Sequence, residues 1–84
     1  MDVTLRVKDG LVDRLREVRS IPSEEHFARL IGVDRATLRR VVGGQVPSGT
    51  FMANFCSAFN LGLGEAFEIV PVDALAARRE GDAA

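Results

Sequence analysis

The sequence is poor in the residue types that build disulfides, metal sites and catalytic centres. It has one cysteine, Cys56, and one histidine, His26, among 84 residues. A lone cysteine cannot close a disulfide within the chain, and neither residue belongs to a spaced set of zinc ligands. No second His, Ser or Cys is arranged to work with His26 as a nucleophile or base. We therefore expect no metal, no cofactor, no small-molecule ligand and no enzymatic activity, and a reducing compartment.

Long apolar runs are missing as well. No stretch approaches the roughly 20 apolar residues that a membrane-spanning helix needs, and the N-terminus lacks the hydrophobic region of a signal peptide. Even so, 46% of the residues are apolar, which is enough for one small core without disulfides or metals. The expectation is a single soluble domain in the cytoplasm, with no membrane partner.

The net charge is −1, but the charged residues are unevenly distributed and one segment is basic. Residues 29 to 40 carry four arginines against one aspartate, whereas residues 65 to 73 carry only acidic charges. A near-neutral total argues against indiscriminate coating of nucleic acid. A concentrated basic patch nevertheless suits a local contact with a polyanion.

Hydrophobic periodicity predicts five helices between two short extended segments. The opening VTLRV alternates apolar and polar residues as a half-buried strand does, and we expect it to pair with EIVPV at the other end of the helical region. The helices are predicted at about 10–19, from Ser23 to Gly32, at 34–43, from Ser48 to Asn60, and at 63–68, with Asp9, Ser23, Asp34 and Ser48 as N-caps. The residues expected to face inward include Leu11, Leu15, Val18, Phe27, Leu30, Ile31, Leu38, Val41, Val42, Phe51, Met52, Phe55, Cys56, Phe59 and Phe67.

The stretch FARLIGVDRATL, residues 27 to 38, predicts two crossed helices joined by a sharp turn. Gly32 tolerates the positive φ that a three- or four-residue turn needs, and Ala28 is small where the helices approach closely. A cage of apolar residues would fix the crossing angle, namely Phe27, Ile31, Val33, Leu38 and Val41. The polar side of the second helix is then left facing outward.

This pattern resembles the helix-turn-helix of the Cro and phage-repressor family, also called the xenobiotic-response-element (XRE) type. The similarity runs from Ser23 to Gly44, continues at Pro47-Ser48 and ends in AFNLGLGEAF at 58–67, covering about residues 10–70. The resemblance implies an all-α fold, a compact five-helix lambda-repressor-like domain at 1–72, with short pairing of the terminal strands. The helix-turn-helix unit would be 23–43, and 73–84 would be a flexible C-terminal tail.

The resemblance also assigns roles to individual residues. In the family, the second helix of the unit lies in the major groove and its N-terminal side chains meet base edges. By position, those side chains here are Arg35, Ala36, Arg39 and Arg40. Arginine is the commonest bidentate partner of guanine, and an alanine methyl can touch the methyl group of thymine. Thr37 and Ser48 are candidate phosphate contacts.

Glu24 is the last candidate for the DNA-binding site. It stands where family members commonly carry a Gln that contacts phosphate. Because a carboxylate repels phosphate, we expect Glu24 to turn aside to the start of its own helix, or the docking to differ.

The function implied by the resemblance is sequence-specific DNA binding. The protein would be a transcriptional regulator, a Cro-like or repressor protein of phage, prophage or bacterial origin, reading operator DNA with the helix 34–43. A homodimer on an inverted repeat is expected, formed in solution or only on the DNA. The alternative is a protein-binding module on the same fold, such as an antitoxin or antirepressor component. The near-neutral charge, Glu24 and the acidic segment favour that alternative.

Overall fold

The computed structural model describes residues 2–72, which form five helices and a two-stranded antiparallel sheet. In chain order, the elements are β1 Val3–Val7, α1 Leu11–Val18, α2 Glu24–Leu30, α3 Arg35–Val42, α4 Gly49–Phe59, α5 Leu63–Ala66 and β2 Phe67–Pro71. The mainly helical content and the pairing of the terminal strands are both confirmed. The tail expected at 73–84 lies outside the described residues.

The sheet joins the two ends of the described chain. Its register places Val3 opposite Pro71 and Val7 opposite Phe67. Opposed residues of an antiparallel pair point to the same face, so one face is wholly apolar, being made of Val3, Leu5, Val7, Phe67, Ile69 and Pro71. Val7 and Phe67, at the end nearest the helices, are buried, whereas Val3 and Ile69 are 60% and 69% exposed. Half of this apolar sheet face is therefore open to solvent.

Phenylalanines, all of them predicted to face inward, form the centre of the core. The phenylalanine cluster consists of Phe27, Phe51, Phe55, Phe59 and Phe67, all of them buried. The ring centroid of Phe55 lies 5.4 to 6.0 Å from the rings of the other four. Because aromatic pairs in such geometries attract each other beyond the effect of burial alone, Phe55 in α4 connects α2, α4 and β2.

The N-caps of three helices are confirmed. The side chains of Ser23, Asp34 and Ser48 each accept a hydrogen bond from the backbone N–H three residues further on. Each of these bonds satisfies one of the amides that a helix N-terminus leaves unpaired. The starts of α2, α3 and α4 are therefore fixed by local sequence.

Two predicted helix ends are wrong. Asp9 does not cap α1, because Gly10 occupies the N-cap position with φ +74° and the Asp9 carboxylate lies 3.1 Å from the guanidinium of Arg6. Helix α5 ends at Ala66 rather than at residue 68, because Phe67 takes an extended conformation and begins β2.

Three apolar residues expected to face inward are largely exposed. Val18, Leu30 and Val42 are 70%, 49% and 38% exposed. The buried stripe of α1 is centred between Val12 and Leu15, and at 3.6 residues per turn this places Val18 at its margin. Leu30 and Val42 likewise lie beside the buried stripes of α2 and α3, so the prediction that these three residues face inward is wrong.

Within residues 2–72, no helix combines the length and the apolar character needed to cross a bilayer.

Candidate nucleic-acid interface

A tight turn at residues 31–34 joins α2 to α3. Gly32 has φ +75° there, in the left-handed region that glycine enters without steric cost. The carbonyl of Ala28 accepts hydrogen bonds from the N–H groups of Ile31 and Val33, at 3.2 and 3.0 Å. The positive φ that the sequence predicts at Gly32 is thus present.

The two helices share a closed apolar interior. The residues predicted to form it are at most 2% exposed, namely Phe27, Ala28, Ile31, Leu38 and Val41, and Val33 packs against them partly buried. With these side chains inside, the orientation of α3 about its own axis is fixed. Its remaining positions are exposed to solvent, except Thr37, which is partly buried.

The outward side of α3 presents the residues that the sequence assigns to base contacts. We call Arg35, Ala36, Arg39 and Arg40 the basic face. All four are exposed, and with 3.6 residues per turn they lie opposite the buried Leu38 and Val41. Three guanidinium groups and one small residue therefore share one accessible helix surface.

Glu24 lies against this basic face. Its Oε1 is 3.8 Å from Nη2 of Arg35 and 3.9 Å from Nε of Arg39. Of the two alternatives expected for Glu24, the structure shows, within residues 2–72, no hydrogen bond to the carboxylate from the start of α2; the crossing of the helices brings it to two cations on α3. Ion pairs this exposed contribute about 0–1 kcal/mol each, so Glu24 lowers the local positive charge without locking the arginines in place.

Thr37 and Arg40 are connected to the N-cap of α3. The backbone N–H of Thr37 donates to Oδ1 of Asp34 at 2.7 Å, and Nη2 of Arg40 donates to the Thr37 hydroxyl at 3.2 Å. The hydrogen bond from the Thr37 backbone is the main cause that lowers the pKa of Asp34. The Thr37 side chain and the positive charge of Arg40 add to that shift. The first turn of α3 is accordingly well defined.

Ser48 belongs to a different part of the molecule. Its Oγ accepts a hydrogen bond from the N–H of Phe51 at 3.0 Å and so caps α4. The structure thus brings together Glu24, Arg35 and Arg39, and separately Thr37 and Arg40. Ser48 stands on its own element, exposed to solvent.

Arg16 is a neighbour of the site that no sequence signal marks. It lines a shallow groove beside the basic face together with Pro22, Ser23, Glu24, Glu25 and Arg35. Its Nη2 donates to the carbonyl of Pro22 at 3.3 Å. The periodicity of α1 places Arg16 among ordinary polar positions. Its approach to α2 depends on tertiary packing, which local patterns do not contain.

Two findings concern the other reactive groups of the described chain. Among residues 2–72, no three His, Cys, Asp or Glu side chains are grouped so that they could hold a metal ion. Burial raises the pKa of the Cys56 thiol, and the negative charge of Glu65 adds to the shift. Cys56 is therefore protonated at neutral pH and poorly nucleophilic.

Comparison with protein-family models, curated proteins and solved structures finds no match to this chain. Function therefore has to be inferred from the geometry around α3 and from the resemblance in the sequence.

Proposed function

We propose that this protein is a sequence-specific DNA-binding transcriptional regulator that places α3 in the major groove. The observation that carries the proposal is the basic face, three exposed arginines around a small residue on a helix whose opposite side is buried. The resemblance of residues 23–44 to the helix-turn-helix of Cro and phage repressors supports it. The proposal extends to a lambda-repressor-like arrangement of the five helices and to Cro-like or repressor activity.

The side chains of the basic face suit base recognition. An arginine can donate two hydrogen bonds to O6 and N7 of guanine, and such a pair discriminates against other bases by about 1–3 kcal/mol. Ala36 lies between the arginines and is small enough to let the helix approach a thymine methyl. We therefore expect guanines in the half-site. Thr37 and Ser48 remain candidate phosphate contacts.

One such helix reads only a few base pairs, too few for useful specificity. Two copies on half-sites about 34–36 Å apart, one DNA turn, would read an inverted repeat. The proposed partner is therefore operator DNA with inverted symmetry, bound by a homodimer that forms in solution or only on the DNA.

A salt titration of duplex binding tests the proposal. Fluorescence anisotropy with a labelled duplex of about 24 base pairs should show affinity that falls steeply as salt rises, because binding releases counterions from the phosphates. Combining Arg39→Ala with Arg40→Ala should weaken binding and remove sequence preference.

Arg14→Ala is the control for the single Arg39→Ala and Arg40→Ala variants, each of which also loses one positive charge. Arg14 is an exposed arginine of α1, so the variant loses a positive charge outside the basic face and should bind nearly as the parent does. Unchanged affinity and sequence preference in the Arg39/Arg40 variant would contradict the proposal.

The exposed half of the apolar sheet face favours a second candidate function. Val3 and Ile69 are large, apolar and mostly exposed on neighbouring strands, as in surfaces that bind proteins. A protein-binding module such as an antitoxin or antirepressor component would use this face. In that case a co-expressed partner would be retained by the parent and lost with Ile69→Glu, and no duplex would be bound.

A further inference from the structure

We infer that Glu24 determines the selectivity of the basic face: its carboxylate disfavours contacts to phosphate alone and tolerates contacts to base edges. The inference rests on the proposed binding of DNA by α3. It concerns how that surface distinguishes a specific site from any other duplex.

The position of the carboxylate supports this role. Glu24 Oε1 lies between the guanidinium groups of Arg35 and Arg39, 3.8 Å from one and 3.9 Å from the other. Its side chain is 32% exposed, against 54% and 62% for the two arginines. The Glu24 side chain is therefore less exposed than the two arginines that it contacts.

The two contacts are ion pairs and not hydrogen bonds, because both distances exceed about 3.5 Å. The guanidinium N–H groups therefore stay available to a further acceptor. In this arrangement the carboxylate stays beside both guanidinium groups, while the outer edge of each arginine is free to recognise a ligand.

The charge of the ligand then decides how Glu24 acts. A phosphate that approaches Arg35 or Arg39 brings a second negative charge close to the carboxylate, and the two repel each other. A guanine edge is neutral, so it can accept hydrogen bonds from an arginine that keeps its ion pair with Glu24. Glu24 consequently costs more affinity at a non-specific site, where phosphate contacts dominate, than at a specific one.

Glu25 offers a matched comparison in the same helix. Its Oε1 lies 3.6 Å from Nη2 of Arg29, one turn further along α2, and both side chains are at least 70% exposed. Glu24→Gln and Glu25→Gln make the same change in net charge at adjacent positions. Only the first removes the carboxylate between the two arginines of the basic face.

The experiment compares two duplexes of about 24 base pairs. One is selected from a randomised pool by the parent protein, and the other is a scrambled sequence of the same base composition. We expect Glu24→Gln to bind the scrambled duplex about tenfold more tightly at low salt, with a plot of log K against log salt steeper by about one unit. Its affinity for the selected duplex should rise by no more than about threefold, so that the ratio of the two affinities falls. Glu25→Gln should leave that ratio within about twofold of the parent.

The outcomes separate this inference from the function on which it rests. If Glu24→Gln leaves the ratio as Glu25→Gln does, while the parent binds the selected duplex preferentially, the inference is overturned and DNA binding stands. If the parent enriches no sequence and binds neither duplex in a salt-dependent way, the proposed function is overturned and the inference with it.

Discussion

The phenylalanine cluster lies inside the small helical framework and the basic face lies on its surface, and the two regions differ in burial, packing and charge. The side chains of the cluster are buried, and their rings contact one another. The basic face is exposed to solvent, and its Arg35 and Arg39 form ion pairs with Glu24 at 3.8 and 3.9 Å, too long for hydrogen bonds. This contrast indicates that buried rings carry the stability of the fold, while recognition is left to exposed side chains that contribute little to stability. Substitutions should therefore affect stability at one site and binding at the other.

The largest expected effect is at the centre of the cluster. Phe55→Ala should lower the free energy of unfolding by about 3–5 kcal/mol, because it removes a fully buried ring and leaves a cavity among four others. Urea unfolding followed by circular dichroism measures this. Phe55→Leu, which keeps most of the volume, should cost clearly less. A loss below about 1 kcal/mol for the alanine variant would contradict the central place given to Phe55.

A smaller effect is expected at the turn between α2 and α3, where the two regions meet. Gly32→Ala should lower the free energy of unfolding by about 1–2 kcal/mol, because the φ of +75° is strained for any residue with a Cβ. A Cβ there would lie 3.7 Å from Nδ2 of Asn54, an ordinary contact, so the cost should be conformational and not steric.

Gly64→Ala is the control for the turn. Gly64 lies in α5, where a Cβ meets nothing within 4 Å, and the substitution should be neutral or mildly stabilising by about 0.5–1 kcal/mol. If Gly32→Ala and Gly64→Ala changed the free energy of unfolding equally, a side chain at position 32 would not strain the backbone.

The smallest expected effect is a dependence on pH at the start of α3. Hydrogen bonds from Thr37 hold the pKa of Asp34 below its ordinary value in the folded protein. The ionised carboxylate therefore stabilises the folded state at neutral pH. That stabilisation is lost as the pH falls through the lowered pKa, below about 4.

Asp34→Asn measures this effect separately from the other carboxylates. The parent should unfold at higher urea than the variant at about pH 7, and the difference should shrink as the pH is lowered below about 4. A difference that is constant with pH, or that grows in acid, would show that the charge of Asp34 does not stabilise α3.

Local features of the fold could be predicted from the sequence because their causes are local. Ser23, Asp34 and Ser48 cap helices through hydrogen bonds that span three residues, and Gly32 is required by the φ of its own backbone. The pairing of β1 with β2 joins distant segments. It was nevertheless predictable, because both have extended character and lie at the two ends of the helical region.

The rest depends on how the helices pack, which the sequence pattern does not specify. Val18 and Leu30 are apolar and correctly spaced, yet each lies at the margin of its helix's buried stripe. Glu24 meets Arg35 and Arg39 only because α2 crosses α3 at one particular angle. The candidate site residues were predicted from the sequence, and the structure shows which of them are in contact.

DNA binding by the basic face of α3 can be tested by mapping the surface that contacts the duplex. The ¹⁵N-labelled protein is titrated with the selected duplex, and the shift of each backbone amide is followed by NMR. If α3 binds the duplex, the largest shifts should occur at residues 34–40, with smaller shifts at 23–25 and little change in the strands at 3–7 and 67–71. Shifts concentrated on the strands would contradict DNA binding by α3. So would unshifted α3 amides at a duplex concentration where most of the protein is bound.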